Sequence, residues 1–214
     1  MTRAEVLSLA GPVGQLEIKL EFPDDATDSP RVFGVACHPH PLYGGTMDNK
    51  VTHVLARSMN ECGAPCFRFN FRGVGASAGA FDNGRGEADD LAAVVAEGRR
   101  RFPGAGLWLG GFSFGAFVAL RGAEKLAPDK LVAVAPPVAR FELGSVAHPE
   151  CDWLLLQGDA DDVVPPDAVL AWAAQQPPNP HGRRPRLHVL PGAGHFFHGR
   201  LHELKPLVLD FLRS

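Results

Sequence analysis

Apolar residues recur along this chain in two rhythms, short near-continuous runs and longer stretches spaced for one face of a helix, and from residue 32 onward the two alternate. Val6 to Leu9 and Leu16 to Phe22 flank Gly11, Pro12, Val13 and Gly14, a turn signal, and predict an antiparallel hairpin. Val32 to Cys37 is a third strand, apolar at nearly every position, of the kind covered on both faces. The pattern then predicts a helix over Asn49 to Cys62, a strand over Ala64 to Asn70, a helix over Glu87 to Phe102 and a strand at Leu107 to Leu109. Next come a helix from Ala116, strands at Leu131 to Ala135 and Trp153 to Leu156, a helix over Pro165 to Gln175 and a strand at Arg186 to Leu190. A last helix covers Leu201 to Leu212, with Pro206 inside it as an expected kink. This order predicts an α/β protein: a mostly parallel central sheet with right-handed crossovers, helices on both faces and an antiparallel N-terminal hairpin. No repeat or linker interrupts it, so residues 1–214 read as one domain, and the short connection between the strands at Leu131 and Trp153 leaves no room for a cap domain.

One junction stands out. Leu107, Trp108 and Leu109 pass through Gly110 and Gly111 into Ser113 and straight on into Ala116, Val118, Ala119 and Leu120, an apolar helical face. Glycines two residues either side of a serine, between a strand and a helix, are what a nucleophile elbow requires, because side chains there would collide with the adjacent strand and helix. The same five-residue pattern recurs at Gly75, Ser77 and Gly79. There, Arg72 to Gly75 separates the serine from its strand and Ala80 to Gly86 continues as loop, so Ser77 reads as a turn serine and Ser113 as the candidate nucleophile. Nor is the loop Phe71 to Ser77 a phosphate cradle, since its glycines lead into more loop rather than opening a helix.

Composition narrows the classes. A chain of 214 residues can bury roughly 70% of its unfolded surface without disulfides or metals. A net charge of −3, with basic clusters only at Arg99 to Arg101 and Arg183 to Arg184, argues against nucleic acid as a partner. Met1 to Phe22 has no charged start followed by an apolar core, and no apolar run reaches membrane-spanning length, so a cytoplasmic protein with no membrane partner is expected. The 4 cysteines are scattered, which predicts reduced, mostly buried thiols. Oligomeric state leaves no mark in the sequence.

In sheets of this kind functional groups gather at the carboxyl ends of strands. The strand ending at Leu156 runs into Gln157, Gly158, Asp159, Ala160, Asp161 and Asp162, and the last strand runs into Gly192, Ala193, Gly194 and His195. A serine hydroxyl needs a histidine to take its proton, and the histidine needs an acid to fix its tautomer. Serine, acid and histidine occur in the chain order expected of the elbow architecture. Three aspartates compete for the acid's place, whereas His195 is favoured over His198 as base.

The motifs GFSFG, GDADDVVP, GAGHFF and NFRGVGAS together resemble the α/β-hydrolase superfamily over nearly the whole chain. CHPHPLYGGTMDNK, FRFNFRGVGASAG and FDNGRGEADDL further resemble a group of small, capless bacterial predicted hydrolases or esterases, distantly related to dienelactone hydrolases. Where dienelactone hydrolases carry a cysteine at the elbow, this chain has Ser113. The resemblance implies an α/β-hydrolase fold without a cap, and its GxxDxxVP pattern selects Asp161 as the acid. It implies a serine hydrolase, in the first instance a carboxylesterase cleaving small acyl esters through an acyl-enzyme, with no cofactor. The same residues would serve a thioesterase or acyltransferase, and a non-catalytic protein binding an acyl ligand or a partner is the alternative from another class.

An oxyanion needs two donors. The amide of Phe114 is one; for the other, His40, Pro41 and Leu42 occupy the place of the superfamily's His-Gly-x, and the amide of Leu42 is favoured, with Tyr43 next. Tyr43, His40 and Phe196 are candidates for the substrate pocket. His38 and His40 form an HxH that could pair on a metal, but the alternating prolines and the lack of an accompanying carboxylate cluster favour loop-shaping histidines and no metal.

Overall fold

The computed structural model describes residues 3–141 and 148–214. Among these residues eight strands form one sheet in the order β1-β2-β4-β3-β5-β6-β7-β8. β1 (Ala4–Gly11) and β2 (Gly14–Glu21) make the hairpin, its register set by the two-residue turn that pairs Gly11 with Gly14. β2 lies antiparallel to β4 (Cys66–Phe69). From β4 through β3 (Val32–Cys37), β5 (Gly106–Phe112), β6 (Lys130–Val134), β7 (Asp152–Gly158) and β8 (Arg186–Leu190) every pairing is parallel.

Parallel neighbours need crossovers. α1 (Lys50–Glu61) links β3 to β4, α2 (Arg85–Arg101) links β4 to β5, α3 (Phe114–Leu126) links β5 to β6 and α4 (Pro166–Ala174) links β7 to β8. α5 (Leu201–Arg213) follows the last strand and runs unbroken across Pro206, which removes one backbone donor without ending the helix. Because side chains alternate across a strand, β7 feeds two cores. Trp153 and Leu155 belong to the core that α2, α3 and α4 cover, while Leu154 and Leu156 belong to the one that α1 and α5 cover. The nearly continuous apolar runs of the inner strands are therefore buried on both sides, as the sequence pattern predicts. Part of the short connection between β6 and β7 falls on residues 142–147, outside the described residues.

Two boundaries moved for identifiable reasons. α2 begins at Arg85 rather than Glu87, because Glu87 is its third residue and reaches back to cap it: its carboxylate accepts from the N–H groups of Asp82 and Gly84. β5 extends past Leu109 to Phe112, so the strand delivers the chain directly to Ser113.

The glycine-rich loop after β4 is anchored rather than free. Arg72 is buried and its guanidinium bonds both oxygens of the buried Asp90 on α2. Ser77 is buried as well; its hydroxyl donates to Asn70 O at 2.6 Å and accepts from Glu17 N–H at 2.9 Å, which ties the loop to β2. It is thus the turn serine its context predicted. The four cysteines are free thiols, and burial pushes those of Cys37, Cys66 and Cys151 up. Among the described residues no helix is long and apolar enough to cross a membrane.

Candidate active site

Ser113 sits at the tip of β5 with φ 54° and ψ −119°, a conformation rarely populated by residues other than glycine. The neighbouring backbone enforces it. Ser113 N–H donates to Val134 O on β6, and its carbonyl accepts the first bonds of α3 from Ala116 and Phe117. A Cβ on Gly111 would lie 2.2 Å from Gly115 O, and one on Gly115 would lie 2.4 Å from Cys37 O. Only glycine at both places lets strand, turn and helix approach this closely, which is the physical content of the motif.

His195 stands over the serine, with its Nε2 3.1 Å from Ser113 Oγ and its Nδ1 2.8 Å from Asp161 Oδ2. All three side chains are buried. Asp161 Oδ1 accepts from the N–H groups of Val163 and Val164, and Oδ2 also accepts from Gln157 Nε2. Burial works to raise the Asp161 carboxyl, but the bond from His195 and these amides outweigh it and hold the carboxyl below its ordinary value. An ionised Asp161 can only accept, so Nδ1 of His195 carries the ring proton and Nε2 presents a lone pair to the hydroxyl. The ring is packed 5.1 Å from Phe112 and edge-on to Phe196.

The two loops that supply acid and base are stitched to each other. Ala160 N–H donates to Ala193 O, Asp159 N–H to Leu190 O, and Asp159 Oδ1 accepts from Gly192 N–H. Gly158 passes so near that a Cβ there would meet Ala193 O at 2.1 Å. Asp159, one of the three competing aspartates, thus clamps the loops, and Asp162 is exposed.

The serine opens on a cavity of about 450 Å³. His40, Tyr43 and Phe196 line it, as do Phe114, Phe141 and Val164. Two further wall residues are Asn49, read from the sequence only as the start of a helix, and Arg140, which carried no signal because it lies in an aperiodic loop. Asn49 caps α1 with its Oδ1.

The loop after β3 corrects the Leu42 expectation. Leu42 N–H donates to His40 Nδ1 at 3.2 Å, so it is not free for a ligand. Tyr43 and Gly45 donate to His40 O and Gly44 to Pro41 O, while Pro41 has no N–H. Among the described residues, the one amide of the stretch from His40 to Gly45 without a hydrogen bond is that of His40 itself. Phe114, as the first residue of α3, likewise has an N–H with no partner inside the helix.

His38 is a structural peg. Fully buried, it donates from Nδ1 to Pro39 O at 2.6 Å and accepts at Nε2 from Phe71 N–H at 3.0 Å, so both nitrogens join loop to loop and neither is available to an ion. Burial holds its imidazole down to about 4, the Pro39 carbonyl pulling weakly the other way. Because the folded value lies below the unfolded one, the unfolded chain gains a proton that the folded chain refuses. Stability is therefore full above about pH 6.5 and lost as pH falls toward 4, on the order of 3 kcal/mol. Urea midpoints measured across that window are expected to slope steeply for the wild type and less for His38→Gln, whose amide can make both bonds; an unchanged slope would place the proton uptake elsewhere.

Comparison with known proteins agrees with this architecture. A profile of the serine aminopeptidase S33 family, Hydrolase_4, matches residues 43–143. XC6422 from Xanthomonas campestris, described as a member of the a/b serine hydrolases without a lid, is 42% identical over 99% of this chain and 94% of its own, with a TM-score of 0.91. An alpha-beta serine hydrolase homologue from Coxiella burnetii is 43% identical over 99% and 98% of the two chains, with a TM-score of 0.90. The uncharacterized protein RP471 of Rickettsia prowazekii (strain Madrid E) is 32% identical over 208 residues, covering 94% of this chain and 86% of that one. With an elbow built by Gly111 and Gly115 on a parallel sheet, and relatives this similar over their whole length, the chain belongs to the α/β-hydrolase superfamily, in its group of serine hydrolases without a lid.

Proposed function

We propose that the protein is a carboxylesterase that cleaves acyl esters through Ser113, His195 and Asp161. What carries the reading is the unbroken run of hydrogen bonds from Asp161 through His195 to Ser113 Oγ, at the mouth of a largely apolar cavity. Ser113 Oγ attacks the ester carbonyl carbon while its proton passes to His195 Nε2. The carbonyl oxygen becomes anionic and takes the N–H groups of Phe114 and His40, each such donor lowering the barrier by about 2.7 to 4 kcal/mol. The intermediate collapses as Nε2 returns the proton to the departing alcohol, leaving an acyl ester on Ser113. Water, deprotonated by His195, then attacks that ester and releases the carboxylic acid.

The walls also weigh on the substrate. An aminopeptidase, the activity in the name of the matched family, needs a negative group for the substrate's terminal ammonium. Among the described residues the only carboxylate at hand is Asp161, engaged behind His195, and the wall presents Arg140 instead. A thioester, or an alcohol in place of water as acceptor, would use the same groups.

The test is a fluorophosphonate probe with p-nitrophenyl esters of graded chain length and acyl-CoA thioesters. The expected result is a covalent adduct on Ser113 and turnover of esters above thioesters. A folded protein with no adduct and no turnover of any acyl length would instead support a binding protein.

A further inference from the structure

Of the described residues around the cavity, Arg140 alone bears a formal charge, and no carboxylate among them answers it. No side chain among the described residues bonds its guanidinium, in contrast to Arg68, Arg72, Arg100, Arg101 and Arg200, each held by a carboxylate. Its backbone, however, is fixed. Arg140 N–H and Phe141 N–H both donate to Pro137 O, and Phe141 stacks on Phe117 of α3 with ring centroids 4.6 Å apart at 19°. The turn therefore delivers the cation to the wall from an anchored position. Its field reaches the neighbouring ring: burial lowers the His40 imidazole first, and the positive charge of Arg140 lowers it further.

The remaining polar equipment points the same way. Asn49 turns Oδ1 to the N–H groups of Val51 and Thr52, which commits its acceptor and leaves the Nδ2 donor unbonded among the described residues. The wall thus offers donors and positive charge against aromatic and aliphatic surface. With a net charge of −3, the chain as a whole does not attract anions, so selection of one falls to this local group.

We propose that Arg140 makes the site selective for esters that carry a carboxylate in addition to the scissile bond, on an aromatic or aliphatic body that fits the apolar walls. A planar guanidinium forms paired bonds with a carboxylate, and one such cation matches a single negative charge better than a doubly charged phosphate. The inference rests on the esterase reading, deepens it by naming the substrate class, and is tested so that the two fail separately.

Two isosteric pairs place the charge on either side of the scissile bond: 4-acetoxybenzoate against 4-acetoxybenzamide, and monomethyl terephthalate against methyl 4-carbamoylbenzoate. Expected is a ratio of kcat/KM, carboxylate over carboxamide, that falls at least tenfold from wild type to Arg140→Gln in at least one pair, and further in Arg140→Glu. Leaving-group differences cancel in that comparison. Ratios within twofold of wild type in both pairs would overturn the proposal. Should no ester be hydrolysed and Ser113 take no fluorophosphonate, the esterase reading fails, and calorimetric binding of the second pair decides the anion site on its own. Carboxylate binding at least fivefold tighter than carboxamide, lost in Arg140→Gln, supports it; equal binding, or none of either, overturns it.

Discussion

Replacing Ser113 with alanine is expected to lower ester turnover on the order of 10⁶-fold, the scale seen when a serine nucleophile is removed from a complete triad. The fold should survive. Alanine has the same Cβ in the same φ 54° turn, so it adds no backbone strain, and the side chain loses only its bond to His195. Turnover of p-nitrophenyl esters would be measured beside a thermal melt, with little change expected in the latter. Ser77→Ala is the informative control. Its hydroxyl bridges Asn70 O and Glu17 N–H, so it should cost stability by about 1 to 3 kcal/mol while the rate per folded molecule is kept. Full activity in Ser113→Ala would remove the basis of the esterase reading.

The second large effect is expected for Asp161→Asn, about 10⁴-fold in kcat. The surroundings dictate how the amide must sit. Val163 and Val164 N–H groups point at Oδ1, so the asparagine oxygen stays there and its NH₂ turns to His195 Nδ1. That donor forces the ring proton to Nε2, where it faces Ser113 Oγ and blocks proton uptake. Gln157 Nε2 would also meet a donor where it now meets an acceptor. The expected signature is a collapse of kcat with fluorophosphonate labelling slowed in parallel; labelling at the wild-type rate would show that Asp161 does not set the tautomer.

Much of this could be read from the residues in order. The apolar runs located the inner strands because parallel strands there are buried on both faces, and the elbow was legible because Gly111 and Gly115 are required by backbone approach distances rather than by packing. Other features depend on contacts between segments. The start of α2 turned on Glu87 reaching back to Asp82 and Gly84, a side-chain choice that periodicity does not encode. Leu42 looked available until His40 Nδ1 took its N–H, since a side-chain acceptor two residues upstream competes for the amide. Arg140 sits in an aperiodic loop and Asn49 at the start of a helix, and nothing in their spacing marks them as walls of one cavity.

β8 is the last strand of the sheet, bonded among the described residues only to β7, and Arg186 through Val189 are exposed along it. His195 hangs from its tip. Fraying at this margin would therefore carry the base away from Ser113 while both cores remain intact. Heat inactivation is therefore expected to run ahead of melting, and added cross-strand grip along β8 to delay it more than any repacking of the interior.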